Sequence, residues 1–247
     1  MADEISRTRS IARDLRSLVA RMPAWAEFCL IFLITFSWPL IANFRAVLGR
    51  WVFHRAAHRF EFRDRVLLHL LIIEAVTLAV VYGIGRIRGW ATEVFRFQLT
   101  WRWTVIGVLL WLIIMIATDL LYSFAHAYGL YHPLPFLGGA QVNPTLPFIL
   151  INSLTNPVFE EFLESGYLIT AASKFGMWPA VLSSALLRAC LHLYLGDFPA
   201  VVVLATGIIF GLTYWRWHQL WPLILAHALM DFFGLLHVNV LQSLHLI

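Results

Sequence analysis

The chain has 247 residues, 60% of them hydrophobic and only 13% charged, with a mean hydropathy of +0.76. These values exclude an ordinary soluble domain and point to a polytopic membrane protein whose medium is the lipid bilayer, with no nucleic-acid partner expected. The formal net charge is +4, and 15 of the 18 basic residues precede Thr104, so a basic front is joined to a nearly chargeless back.

Apolar runs of about 17–25 residues predict seven membrane spans at 24–44, 66–85, 104–125, 146–172, 177–195, 199–215 and 219–237. The first 23 residues carry five arginines but no short apolar core with a small-residue cleavage site, so a removable secretory signal is not expected. With seven spans and the N-terminus inside, the inside segments hold 11 basic residues against six outside, the orientation that the positive-inside rule favours. The six are all in the first connection, where RWVFHRAAHRFEFR read as a helix sets Arg55, Arg59 and Arg63 along one side and Trp51, Val52, Ala56 and Phe60 nearer the other. That pattern suits an interfacial helix on anionic lipid; the first segment, interrupted by Pro39, would then re-enter on the same side. A plain basic loop is the alternative.

Cys29 and Cys190 both fall inside apolar spans and read as small buried hydrophobes rather than a disulfide or a metal site. His69, Glu74 and Asp119 are isolated and are assigned to interhelical hydrogen bonding or span ends. The connection 126–145, with Pro133, Pro135, Gly138, Gly139 and Pro144, is the main break. It separates a basic region, 1–145, with about three membrane segments, from residues 146–247, which hold the chemistry. The predicted fold is all-α, a helical membrane bundle whose last four spans form the functional core.

An ionisable side chain at mid-bilayer costs about 2.5–3.5 kcal/mol on insertion scales, so such residues face a protein interior and pair or do work. The last four spans hold seven: Glu160, Glu161, Glu164, Arg188, His192, His227 and Asp231. At about 100° per residue, Glu160, Glu164 and Glu161 fall at roughly 0°, 40° and 100°, making one acidic helix face. Arg188 with His192, and His227 with Asp231, are each four apart and share a face. Three helices with one polar face apiece bury those faces against one another, which predicts a shared polar cavity. A structural network of interhelical polar contacts is the plainer explanation; it accounts poorly for two histidines, groups that exchange protons or bind metal near neutral pH.

The chain has no G-x-S-x-G, H-E-x-x-H or Walker loop. Carboxylate with imidazole is the combination that activates water, with histidine or a metal polarising the carbonyl. His192, His227 and either Glu160 or Asp231 would also make a three-ligand zinc set with an open water position. Water-driven amide hydrolysis is the proposal from the residues, and a proton-coupled transporter is its rival.

EEFLESGYL, LLRACLHL and LWPLILAHALMDFF, in this order on successive apolar helices, resemble the three motifs of the CPBP intramembrane proteases, the superfamily of type II CAAX prenyl endopeptidases and bacteriocin-immunity-type proteins. The family patterns are E-E-x-x-x-R, F-x-x-x-H and H-x-x-x-N/D, and the resemblance spans roughly residues 152–234. It implies an intramembrane endopeptidase acting on a membrane protein or lipidated peptide, with Glu160 the base on the attacking water, assisted by His192. It further implies that His227 and Asp231 stabilise the oxyanion and that Glu161 supports the site. The family is often called metalloprotease, and these groups also suit a metal-independent, glutamate-type hydrolase.

Two positions depart from the pattern: Ser165 stands at the arginine of the first motif and Arg188 at the phenylalanine of the second. Arg188 is expected to replace the missing cation by pairing with Glu164 or Glu161. A degenerate member that binds a peptide or lipid tail without cutting it is the competing reading. The 17 arginines against one lysine point to a GC-rich genome and a bacterial inner membrane.

Overall fold

The computed structural model describes residues 2–52, 61–130, 141–142 and 144–243. Helices α1 (Ala2–Arg21) and α2 (Ala24–Trp51) are followed by α3 (Asp64–Arg88), the short α4 (Ala91–Val94) and α5 (Trp101–Ala127). The back half contains α6 (Leu146–Glu160), a π-helical segment over Glu161–Leu168, α7 (Ile169–Ala172), α8 (Met177–Leu191), α9 (Asp197–Trp217) and α10 (Trp221–Ser243). Two-residue strands β1 (Glu61–Phe62) and β2 (Gln141–Val142) pair in parallel and are the strands found among the described residues.

Among the described residues, four helices are long and apolar enough to cross a membrane: Ala24–Gly49, Asp64–Arg88, Trp101–Ala127 and Asp197–Trp217. The other three expected spans are apolar but differently built. Met177–Leu191 and Trp221–His237 are shorter, and the 146–172 run is divided among α6, the π segment and α7. Exposed Leu33, Ile73, Leu109, Ile113, Ile116 and Leu120 face outward from α2, α3 and α5. Only lipid makes that surface inexpensive, because hydrocarbon solvates leucine and isoleucine as readily as a protein core does. The chain is an integral membrane protein.

Pro39 lies inside one continuous helix, α2, so the first segment does not turn back within the bilayer. Most of the basic stretch read as an interfacial helix, residues 53–60, lies outside the described residues, as does most of the 126–145 break. Cys29 is exposed and Cys190 half-buried, so neither is the fully buried hydrophobe expected from its span.

Polar clasps lie at both ends of α3. At one end Arg88 Nε donates to Glu27 Oε2 at 2.6 Å while Trp90 Nε1 donates to Glu27 Oε1 at 2.8 Å, joining α2 to the end of α3. At the other end Thr145 donates its backbone N–H to Asp64 Oδ1 at 2.7 Å and its hydroxyl to Asp64 Oδ2 at 3.0 Å, pinning the start of α6 to the start of α3.

Helices α8 and α9 approach closely because Gly207 and Gly211, four apart, carry no Cβ. An added Cβ would stand 2.9 Å from Ala185 Cα at the first position and 2.9 Å from Val181 Cγ1 at the second. This is the small-xxx-small arrangement by which membrane helices gain van der Waals contact. It also seats Arg188, whose Cδ would lie 3.5 Å from the new Cβ at position 207. Gly207→Val is therefore expected to destabilise the protein by about 1–3 kcal/mol, read as a lower Tm in detergent micelles.

Candidate active site

The expected acidic face is delivered by a helix that changes its winding. Pro157 has no N–H for the carbonyl one turn before it, and from Glu161 the ladder widens to the π form through Leu168. Such π segments are rare and concentrate at functional sites. The side chains of Glu161 and Glu164 are thereby turned into the bundle rather than following the α-helical angles read from the sequence, and both are buried, at 0% and 1% exposure.

Arg188 of α8 meets them. Its NH1 lies 2.8 Å from Glu161 Oε1 and its NH2 donates to Glu161 Oε2 at 2.9 Å, a two-pronged guanidinium–carboxylate pair. Arg188 Nε stands 2.9 Å from Glu164 Oε2 but off the direction of a hydrogen bond, so that contact is ionic only. The expected pairing of Arg188 with Glu164 or Glu161 is thus present with both. Ser165, at the departure from the first motif, donates its hydroxyl to Glu161 Oε2 at 2.6 Å. Phe210 of α9 covers the guanidinium with its ring centroid 5.5 Å away.

Glu161 is consequently saturated. Its Oε1 also lies 2.8 Å from His227 Nδ1, and a carboxylate accepts there only from an N–H, so His227 carries a proton on Nδ1. The ring's other nitrogen, Nε2, is turned toward Asp231 Oδ1 at 3.5 Å and Glu160 Oε2 at 3.9 Å. Asn156 donates to the second oxygen of Asp231 at 3.3 Å. His192 caps the end of α8, and its Nδ1 lies 2.9 Å from the Arg188 carbonyl, which again fixes the N–H on Nδ1 and leaves Nε2 as the second ring atom.

These groups line a cavity of about 470 Å³ that holds Glu160, Glu164, His192, His227 and Asp231 together. Glu160 differs from its two neighbours. Its side chain retains 17% exposure, and Arg188 comes no closer than 3.6 Å.

All seven residues singled out from the sequence therefore converge, five of them at the cavity wall and Arg188 and Glu161 behind it. Several polar contributors were missed. Glu74 of α3, assigned by default to a helix contact, instead lines the cavity, 5% exposed, and Asn43, Asn156 and Tyr194 line it too. Asn43 accepts the Tyr194 backbone N–H at 3.0 Å, so α2 closes the cavity against the turn after α8. The sequence held a signal for one of them. Asn152, Asn156, Glu160 and Glu164 recur every four residues, a polar stripe longer than the three glutamates alone. The cavity is not a property of the last four spans only, since α2 and α3 supply part of its wall.

The zinc set of His192 and His227 with Glu160 or Asp231 is not preassembled. Among the described residues no three His, Cys, Asp or Glu side chains stand together at the spacing of a metal's ligands. His227 has committed Nδ1 to Glu161, and no step below is routed through a metal.

Comparison with curated proteins and with solved structures returned no match. A scan against protein families matched residues 141–233 to the model described as type II CAAX prenyl endopeptidase Rce1-like. That interval holds every one of the seven converging residues and the three motifs, so this part of the chain is similar to the type II CAAX prenyl endopeptidases.

Proposed function

We propose that this protein is an intramembrane endopeptidase that hydrolyses a peptide bond in a membrane-associated protein or its lipidated C-terminal tail, with Glu160 as general base. The observation that carries this reading is the inequality among the three glutamates. Glu161 has both oxygens occupied and Glu164 is buried 2.9 Å from Arg188, while Glu160 retains 17% exposure at the cavity wall and stands 3.6 Å from that cation.

Water in the cavity gives a proton to Glu160 as its oxygen attacks the carbonyl carbon, with Nε2 of His192 orienting the second O–H. The carbonyl π pair moves onto oxygen, and Nε2–H of His227, in its imidazolium form, donates to that oxyanion. Asp231, steadied by Asn156, and Glu161, steadied by Arg188, hold the His227 ring from its two nitrogens. Collapse of the tetrahedral species breaks the C–N bond, and the proton on Glu160 passes to the leaving nitrogen. Glutamate and histidine suffice for this sequence.

The family match favours a membrane setting, and the arginine-rich, lysine-poor composition is the ground for proposing a bacterial inner membrane. The test is cleavage of an internally quenched peptide ending in a farnesylated cysteine tail by protein reconstituted in liposomes. Fluorescence should rise with wild-type protein and stay flat with empty liposomes; a flat trace for both contradicts the proposal. Because no step uses a metal, prior treatment with EDTA or 1,10-phenanthroline should leave the rate within about twofold, with the metal content of the purified protein measured alongside.

A further inference from the structure

The cavity has a second set of polar groups that the hydrolytic step does not use. Thr35 of α2, Glu74 of α3 and Asn152 of α6 line it, at 6%, 5% and 9% exposure, among apolar neighbours such as Phe36, Leu67 and Phe159. Thr35 Oγ1, Glu74 Oε2 and Asn152 Oδ1 are each buried without a hydrogen-bond partner. Orphaned polar atoms of this kind are uncommon, because each forfeits its hydration and receives nothing in return. Three around one cavity call for a common explanation, and all three can accept a hydrogen bond.

A substrate supplies what they lack. A peptide bond is open to attack only where the chain is not wound as a helix, and unwinding in a membrane strips the backbone N–H groups of their partners. A site that cuts within the bilayer must therefore provide acceptors of its own. We infer that Thr35, Glu74 and Asn152 form a subsite that receives backbone N–H groups of an extended substrate segment, facing the catalytic wall of Glu160, His192 and His227. This deepens the proposed endopeptidase reading and rests on it. Two of the three residues lie in the front half, outside the matched interval 141–233, so substrate binding draws on helices that the family comparison does not reach.

Such contacts persist from bound substrate to transition state, and removing them weakens binding without slowing the bound complex. A structural role has the opposite signature. An interhelical hydrogen bond lost to an apolar side chain lowers stability, whereas removing an orphaned buried acceptor leaves stability equal or improved.

The experiment measures kcat, KM and Tm for Thr35→Val, Glu74→Leu, Asn152→Leu and Glu74→Gln in liposomes, using the farnesylated quenched peptide. The apolar variants should each raise KM about tenfold, as for one lost hydrogen bond, with kcat changed by less than about twofold and Tm no lower than wild type. Glu74→Gln keeps a carbonyl acceptor and should recover most of the affinity. Wild-type KM in all four variants, or a fall in Tm accompanied by a fall in kcat, overturns the subsite. If the wild-type protein does not cleave the peptide, the endopeptidase reading fails and the subsite falls with it; cleavage by wild type with unaltered KM in the variants sinks the subsite alone.

Discussion

Glu160→Gln is expected to reduce peptide hydrolysis by about 10²–10⁴-fold, the range that a positioned general base contributes, while Tm stays close to wild type. The glutamine amide occupies the same volume but cannot take the proton of water. Glu160 is also the glutamate that the architecture can spare. It lies 3.6 Å from Arg188 and 3.9 Å from His227, so it anchors neither strongly. Glu161→Gln should behave differently. That side chain holds Arg188, Ser165 and His227 at once, and its loss should lower stability as well as rate. A Glu160→Gln variant that retains wild-type kcat would remove the base from the proposal, whatever the other residues do.

Arg188→Ala should be the most destabilising single change in the back half, at about 3–5 kcal/mol, the usual cost of stripping one partner from a buried ion pair. The guanidinium side chain is 4% exposed and stands among Glu161 at 0%, Glu164 at 2% and Glu160 at 17%. With it gone, two buried carboxyl groups lose the guanidinium that stands between them. Arg188→Lys should recover part of the loss, since a single ammonium cannot reproduce the two-pronged contact with Glu161 while also reaching Glu164. The family pattern suggests a sharper test. Ser165→Arg with Arg188→Phe restores both motif residues, and the pair should be more stable than Arg188→Phe alone, with a positive coupling in a double-mutant cycle of Tm or denaturant midpoint. Arg188→Ala with unchanged stability and unchanged cleavage would show that the cation had not moved from one helix to the other.

The convergence of the seven ionisable residues was legible because a bilayer makes each of them expensive. Charges on α6, α8 and α10 have nowhere to go but toward one another, and i, i+4 spacing places His227 with Asp231 and Arg188 with His192 on common faces. What could not be read was the division of labour among the glutamates. That depends on the π winding from Glu161 to Leu168, which rotates side chains away from their α-helical angles. It depends equally on which oxygen Arg188 reaches, a matter of tertiary packing at Gly207 and Phe210.

Glu74 was misassigned for a related reason. A lone carboxyl group on α3 has no partner within its own helix, so only the packing of α3 on α6 could bring it to the cavity. Four of the seven expected spans coincide with long apolar helices, while the run at 146–172 is helical throughout but changes its winding at Glu161, which a hydropathy window does not see. The interfacial reading of the first connection and the break at 126–145 fall mainly outside the described residues.

The central claim is that Glu160 activates water to cut a peptide at this cavity, and one comparison tests it most directly. Membranes from cells producing wild-type protein and from cells producing Glu160→Gln at the same level are analysed by mass spectrometry for protein C-termini. The account predicts shortened membrane-protein or lipidated tails in the wild-type membranes, with their intact forms accumulating in the Glu160→Gln membranes. Identical sets of C-termini in the two membranes would contradict it.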